Sequence, residues 1–248
     1  MLSVIKGLVL RSVDYKDSSK MLTVLCAQHG IISVSARGVN RKGSRMAPAC
    51  QPFCYSEMTL FERGGKYTLN AAAPEMQFAA LANQIENMSL ACYFAEILMT
   101  EPEGMAIDPD IMRLALNALY ALSEDMFPRW RVKAAFEMRY MSLCGYAPQI
   151  ERCARCGKGL DVGYVFMASG GVLCADCAPF AGEREQAALP GPALDAVRYI
   201  LSAPLKKLFS FDLSETQVPV LARFCEQYLS FKLERGFKTL DFYKNLEA

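Results

Sequence analysis

Four cysteines form two pairs whose spacing constrains this chain more than any other feature of its sequence. The pairs are Cys153-x2-Cys156 and Cys174-x2-Cys177, and seventeen residues separate them. A C-x-x-C turn directs two sulfur atoms to one side of the backbone, so two such turns can surround one metal ion with four thiolates. Because four thiolates leave no open coordination position, the spacing predicts one structural zinc ion. A redox-active dithiol and a pair of disulfides are the alternatives that the spacing leaves open.

The residues between the two pairs are typical of a short β-hairpin. Two apolar runs, 163–167 and 171–173, flank Ala168-Ser-Gly170, which has the composition of a turn. Gly157 directly follows the first pair and supplies the permissive backbone that a tight turn needs. Residues 151–182 are therefore predicted to form a zinc ribbon inserted into the chain.

The first 78 residues have the pattern of β-strands. Runs rich in β-branched and apolar residues, separated by turn-forming residues, occupy 4–13, 21–25, 31–35, 53–62 and 66–71. Five short strands in so few residues predict a small closed barrel. The OB-fold is the commonest five-stranded arrangement, and one face of it, with its loops, binds oligonucleotides.

The periodicity becomes helical after the barrel. Apolar residues recur at intervals of three and four from Ile111 to Leu122, and Asp108-Pro109 is typical of an N-cap followed by a proline in the first turn. Glu183 to Pro192 is rich in Ala, Pro and Gly and is interpreted as a linker. The predicted fold class is therefore α+β multidomain. It has an OB-fold barrel at 1–78, a helical domain at 79–150 and 183–248, and the zinc insert at 151–182.

A basic loop after the third predicted strand is the main candidate for binding a ligand. Arg37, Arg41, Lys42 and Arg45 lie within nine residues that contain no acid, and two glycines and a serine indicate a mobile loop. Such cations can follow a phosphate backbone without reading bases. Lys16 and Lys20, in the first connection between strands, would extend this patch. A solvated loop that only keeps the surface soluble is the alternative interpretation.

A second basic segment lies on the helix that Pro128 opens. Arg129, Trp130, Arg131, Lys133 and Arg139 combine positive charge with an aromatic ring, which suits an acidic, hydrophobic peptide. An amphipathic helix with a solvated face is the alternative.

Several classes of function find little support in the sequence. His29 is the only histidine and has no nucleophile motif to join it, and no phosphate-binding glycine loop is present. The chain is therefore predicted not to be an enzyme. It has neither a long apolar run nor a secretory signal, which predicts a cytoplasmic protein with reduced thiols and no membrane contact.

The order of these parts resembles the RecO family of bacterial recombination mediators. The resemblance spans nearly the whole chain and is carried by several motifs: Leu22-Thr-Val-Leu-Cys-Ala-Gln-His-Gly-Ile-Ile-Ser33, Ala36-Arg-Gly with Arg41-Lys42 and Arg45, Gln51-Pro-Phe53, residues 131–145 leading through Pro148 into Cys153-Ala-Arg-Cys-Gly157, and Phe224-Cys-Glu-Gln-Tyr-Leu229. The N-terminal part and the cysteine insert are the most specific of these.

The resemblance implies an OB-fold that binds single- and double-stranded DNA, a helical domain and a structural zinc ion. Family members anneal complementary strands and, with RecR, help RecA replace the single-strand-binding protein SSB, without hydrolysing ATP. They also bind the acidic C-terminal tail of SSB on the helical domain, which points to the segment 129–139. The location implied is the cytoplasm, at the nucleoid. A zinc-ribbon accessory factor that acts on RNA or in transcription is the alternative function.

Overall fold

The computed structural model describes residues 1–181 and 186–247, which form two compact units. The first unit comprises Met1–Glu124 and the described residues from Phe237 onward, and the second comprises the described residues of Asp125–Gly236. In chain order the strands are β1 Leu2–Tyr15, β2 Ser19–Cys26, β3 Gly30–Ala36, β4 Cys54–Arg63, β5 Lys66–Gln77, β6 Val162–Phe166, β7 Val172–Leu173 and β8 Gln186–Pro190. The helices are α1 Ile85–Leu98, α2 Pro109–Ser123, α3 Arg129–Leu143, α4 Gly191–Ser202, α5 Val218–Lys232 and α6 Lys238–Glu247.

The first five strands form a closed barrel in the order β1-β2-β3-β5-β4. The first half of β1 pairs with β4 and its second half with β2, with an irregular register between Val9 and Arg11. A short parallel pairing of β3 with β5, Val34 with Tyr67 and Ser35 with Thr68, closes the ring. This barrel is an OB-fold, and the predicted fold class is confirmed.

Alternation along the strands builds the barrel core. Inward positions carry apolar side chains that are almost fully buried: Ile5, Val9, Leu22, Val24, Ile32, Val34, Met58 and Leu60. The residues between them on β3 and β4, such as Ser33 and Phe61, are exposed. Because the side chains of a strand alternate between faces, the same strands that fill the core also present a second face to solvent.

Three helices complete the first unit. The side chain of Asp108 accepts a hydrogen bond of 2.8 Å from the Asp110 amide at the start of α2, and Pro109 occupies the first helical position, as predicted. The C-terminal helix α6 packs on α1. Glu96 of α1 accepts a hydrogen bond from the Thr239 amide at 3.1 Å, and the Tyr93 ring meets the edge of Phe237. The sequence analysis did not predict α6.

The second unit combines α3, α4 and α5 with a small sheet of order β7-β6-β8. The interpretation of Glu183–Pro192 as a linker is wrong for its described part, because Gln186–Pro190 pairs along the whole of β6 and α4 begins at Gly191. Residues 183–185 of that segment lie outside the described residues. The alanine-rich composition of this segment resembled that of a linker. Its side chains alternate as in a strand, however, and Leu189 is fully buried.

Candidate functional site

The four paired cysteines converge on one point of the second unit. The Sγ atoms of Cys153, Cys156, Cys174 and Cys177 all lie within 4.8 Å of one another. The Sγ atoms of Cys156 and Cys174 are 3.8 Å apart, which is about the separation of two sulfurs on a tetrahedral ion with Zn–S bonds of roughly 2.3 Å. A disulfide would bring two sulfurs to about 2.05 Å. The cluster therefore has the geometry of a four-thiolate metal site.

Local backbone geometry explains why the sulfurs converge. The Cys153 carbonyl accepts a hydrogen bond from the Gly157 amide at 2.9 Å, and the Cys174 carbonyl accepts one from the Cys177 amide at 3.0 Å. Gly157 has a φ of 72°, a conformation that glycine adopts at little cost. β6 and β7 form the predicted hairpin between the two turns, and they hold the second turn close to the first.

The surroundings of Cys153 favour its thiolate form. Burial acts to raise the pKa of this thiol, but backbone N–H groups of Cys156, Cys174 and Arg155 outweigh it and lower the pKa to about 6. The Cys177 thiol shifts the opposite way, because burial and its contacts with the other three sulfurs raise its pKa to about 12. The fit to a soft cation such as zinc therefore rests on four convergent sulfur donors, the ligand type that selects such metals. All four cysteines are free thiols.

The basic loop between β3 and β4 is exposed and yet anchored. Arg37, Arg41, Lys42 and Arg45 are all exposed, and none of them forms an ion pair with any residue that the structure describes. Val39 is buried in the barrel core and fixes the loop from within. The backbone of the loop is therefore more constrained than the sequence predicted. Its charged side chains are exposed, as expected.

Asp14 ties this loop to the first hairpin of the barrel. Its carboxylate accepts a hydrogen bond from Asn40 Nδ2 at 2.9 Å and pairs with Lys20 Nζ at 3.1 Å. The bonds from Asn40 and then Lys20 lower the pKa of Asp14. Lys20 thus helps to hold the loop, while Lys16 is exposed with its Nζ 5.3 Å from the ring centre of Tyr15.

A groove crosses the outer face of the barrel next to the loop. It has a volume of about 620 Å3. Its lining residues come from β2, β3, β4 and β5: Met21, Ser33, Ser35, Arg37, Phe61, Arg63, Gly65, Lys66, Tyr67 and Thr68. Phe61 lies opposite Thr68, and Arg63 lies opposite Lys66. Three cations and one exposed aromatic ring therefore line the same groove.

Arg63 and Lys66 are candidate functional residues that the sequence analysis did not select. They flank the Gly64-Gly65 turn, and Arg63 is two residues from Phe61, so both share its face of the strand. The spacing of two residues between Phe61 and Arg63 was the feature of the sequence that could have placed them on one face of the strand. Tyr67 packs against the barrel core and also borders the groove.

The basic helix α3 is mostly buried, which contradicts the alternative interpretation of an amphipathic helix with a solvated face. Nine of its fifteen residues are buried, among them Lys133 and Glu137. Lys133 Nζ lies 2.8 Å from Glu137 and 3.2 Å from Glu226 of α5. Burial acts to lower the pKa of Lys133, but the two carboxylates together raise it. Arg139 donates a hydrogen bond to the Ala203 carbonyl. Lys133 and Arg139 therefore serve internal contacts.

The N-terminal end of α3 is less buried. Arg131 pairs with the exposed Asp212 at 2.7 Å, and its guanidinium lies within 6.0 Å of the ring centres of Phe127, Trp130 and Phe211. Arg129 and Trp130 are half-buried beside it. Of the five residues predicted to bind a peptide, Trp130 and Arg131 form one cluster, and Arg129 directly precedes them on the helix. Their role in binding a partner stays a prediction.

The buried ion pair yields a test of stability. We expect Lys133→Met to lower the free energy of unfolding by about 3–5 kcal/mol, because it leaves the fully buried Glu137 carboxylate without its cation. Urea denaturation followed by circular dichroism measures this change. The exposed Lys206 offers the matched control Lys206→Met, which should stay within about 0.5 kcal/mol of the wild type. A loss below about 1 kcal/mol for Lys133→Met would show that water reaches Glu137.

Comparison with known proteins places the whole chain in one family. Residues 1–78 match the family model "Recombination protein O N terminal", and residues 82–241 match "Recombination protein O C terminal". The chain belongs to the RecO family. It is 30% identical over 249 residues to DNA repair protein RecO of Acetivibrio thermocellus, an alignment that covers 97% of this chain and 96% of the relative. The RecO of Caldicellulosiruptor saccharolyticus is 27% identical over 241 residues, with 96% of each chain covered.

A third relative, RecO of Pelotomaculum thermopropionicum, is 30% identical over 243 residues, which is 95% of this chain and 91% of the relative. The family assignment drawn from the sequence motifs is therefore confirmed. Among the described residues of this RecO-family chain, no helix is both long enough and apolar enough to cross a membrane.

Proposed function

We propose that this RecO-family protein is a recombination mediator in DNA repair that binds single- and double-stranded DNA. The observation that carries the proposal is the basic loop, whose four arginine and lysine side chains are exposed and form no ion pairs among the described residues. Cations that are not neutralised internally can release counterions from a phosphate backbone, and this is the main source of sequence-independent affinity. The names of the curated relatives, DNA repair protein RecO, support the same role.

The loop would act by neutralising phosphates so that two strands can approach each other. Arg37, Arg41, Lys42 and Arg45 are carried by turns that Val39 and Asn40 hold in place, so little ordering entropy is lost on binding. Lys16 lies on the adjoining hairpin and would extend the contact. Because phosphates carry no sequence information, the contact would tolerate any sequence. We therefore propose that the protein anneals complementary strands without catalysing a covalent reaction.

We further propose that the protein acts with three partners: RecR, RecA and SSB. The N-terminal end of α3, with Arg129, Trp130 and Arg131, combines an aromatic surface with cations, a chemistry that suits the acidic, hydrophobic SSB tail. Two weak contacts, one to the tail and one to the DNA, would reinforce each other through effective concentration. RecA would then be loaded, with RecR, on DNA that SSB has covered. Such a protein works in the cytoplasm, at the nucleoid.

Zinc is the metal that we propose for the four cysteines. Cys153, Cys156, Cys174 and Cys177 would hold one ion as thiolates, and a site closed by four protein ligands supplies structure rather than an activated water. The metal would join the two turns on either side of β6 and β7. The zinc unit would therefore be folded only with its ion.

The proposed function is tested by binding and annealing assays at several salt concentrations. If all four loop cations meet phosphates, the affinity for a single strand should fall with salt at a slope of about −3 in a plot of log K against log [salt], at roughly −0.7 per contact. The protein should also anneal complementary oligonucleotides that SSB has coated. A slope near zero, or no annealing above the spontaneous rate, would contradict the proposal and favour the accessory factor acting on RNA.

A further inference from the structure

We propose that residues 209–213 of this chain occupy the peptide site at the N-terminal end of α3, and that an acidic peptide binds there only when Asp212 releases Arg131. The inference rests on the proposed binding of the SSB tail. It deepens that proposal, because it assigns an autoinhibitory contact within the chain to the same site.

The segment 209–213 has the burial pattern of an extended peptide in a groove. It belongs to none of the helices and strands of the described residues. Its Phe209 and Phe211 side chains are buried. Ser210 and Asp212, which follow them, are exposed. Alternation of this kind lets an extended chain insert every second side chain and leave the others in solvent. Two aromatic rings and one carboxylate give the segment the chemistry of an acidic, hydrophobic peptide.

The two rings of the segment contact aromatic residues at the start of α3. The ring centres of Phe209 and Phe127 are 5.8 Å apart, and those of Phe211 and Trp130 are 6.1 Å apart. Phe211 also lies 5.8 Å from the ring centre of Tyr199. Aromatic pairs at such distances attract each other beyond the area that they bury. The rings therefore fill the apolar part of the site and anchor the segment there.

Asp212 occupies the charged part of the site with an incomplete contact. Arg131 Nη2 donates a hydrogen bond to Asp212 Oδ1 at 2.7 Å, and the same oxygen accepts one from the Leu213 amide at 3.0 Å. Arg131 Nε has no hydrogen-bond acceptor among the described residues. A carboxylate that accepted from both nitrogen atoms would form the bidentate pair that a guanidinium favours. A second carboxylate can therefore bind Arg131 better than Asp212 does.

The exposure of the two partners allows this exchange. The Arg131 side chain is 15% exposed, whereas that of Asp212 is 87% exposed. Asp212 therefore lies on the solvent side of the pair and can leave without opening the packing of α3. A groove of about 490 Å3 borders residues 210–214 and gives the carboxylate room to move. Because an exposed ion pair contributes little to stability, the contact lowers the affinity of the site without closing it.

A competitor within the chain would set a threshold for recruitment. The apparent affinity of a site falls with the fraction of molecules in which the site is open. A free tail at low concentration would then bind poorly. Tails on SSB-covered DNA, which the basic loop also contacts, would have a high effective concentration. The contact between Asp212 and Arg131 would therefore restrict binding to SSB that is already on DNA.

The substitution Asp212→Asn tests this inference, since it keeps the size of the side chain and removes the charge that competes for Arg131. We expect the affinity for a labelled SSB tail peptide, measured by fluorescence anisotropy, to rise about fivefold, as the loss of an exposed ion pair implies. The matched control is Asp195→Asn, which removes a carboxylate that lines the same groove and pairs with Arg198. It should change the affinity by less than about twofold.

The variant Arg131→Gln separates this inference from the proposed function. It should lower the affinity for the tail peptide about 10-fold, and Asp212→Asn should then add no gain. Trp130 is the only tryptophan, so a change of its emission on adding the peptide reports binding at this site in the unaltered protein. Equal gains for Asp212→Asn and Asp195→Asn, or no gain for either, would overturn the inference and leave the peptide site in place. Undiminished binding by Arg131→Gln, with unchanged Trp130 emission, would overturn both.

Discussion

Reversing the four loop cations should weaken binding to DNA of any sequence by about 10²- to 10³-fold at about 0.1 M salt. The variant carries Glu at positions 37, 41, 42 and 45. Each phosphate contact on a single strand contributes roughly −0.7 to the salt slope, so the loss of four contacts removes most of the electrostatic affinity. The side chains are exposed, and the fold should therefore tolerate the change. Fluorescence anisotropy with single-stranded and duplex oligonucleotides measures the effect on both forms.

A partial variant has a control matched in charge. Arg41→Glu with Lys42→Glu changes the net charge by the same amount as Lys206→Glu with Lys207→Glu, two exposed lysines of the second unit. The first pair of substitutions should reduce affinity about 10-fold or more, and the second should have little effect. If both variants lose affinity equally, the binding responds only to net charge and the loop is not the contact surface.

Removing the metal should destabilise the second unit strongly. Structural zinc contributes about 10–16 kcal/mol of apparent binding free energy in zinc-finger peptides. Even about 4 kcal/mol of that energy, at roughly 2–4 °C per kcal/mol, would lower the Tm by about 10 °C. We expect elemental analysis to find one zinc ion per chain in protein purified without chelator. A strong chelator should then lower the Tm and expose residues 151–181 to proteases.

Cysteine substitutions separate loss of the metal from a general effect of altered thiols. Cys156→Ser removes one ligand and should reproduce the effect of the chelator. Cys92→Ser changes a half-buried thiol outside the cluster and should retain the metal. Protein that contains no zinc, or a Cys156→Ser variant with full metal content and an unchanged Tm, would contradict the assignment. Disulfides would be the remaining explanation for the spacing if mass spectrometry found the four thiols oxidised.

Local features of the sequence were sufficient to predict the barrel, the cysteine cluster and the family. Strand alternation predicted five strands because burial of one face is a property of each strand on its own. The spacing of Cys153 and Cys156, and of Cys174 and Cys177, predicted convergent sulfurs because each turn is set by its own few residues. The motifs from Leu22 to Arg45 indicated the family for the same reason: they are contiguous in the chain.

Other features depended on the partners that folding brings together. From the sequence, Lys133 was expected to be accessible to a partner or to solvent. In the structure α3 is buried, and Glu226 of α5 lies beside Lys133. Gln186–Pro190 resembled a linker because its strand is completed only by β6. The sequence parity of Arg63 with Phe61 was a local signal, but only the pairing of β4 with β5 and the closure of the barrel bring Arg63 and Lys66 into one groove with Arg37.

The features that the sequence predicted depend on interactions between residues close in sequence, and those that it did not predict depend on residues far apart. Turn chemistry, alternation and metal-ligand spacing act between neighbours in the chain, so the sequence by itself determined the barrel strands, the paired cysteines and the class of protein. Burial and charge pairing act between residues far apart in sequence, as the pairing of Lys133 with Glu226 at a sequence separation of 93 illustrates. Only the tertiary structure could therefore decide which cations face solvent and which are held inside.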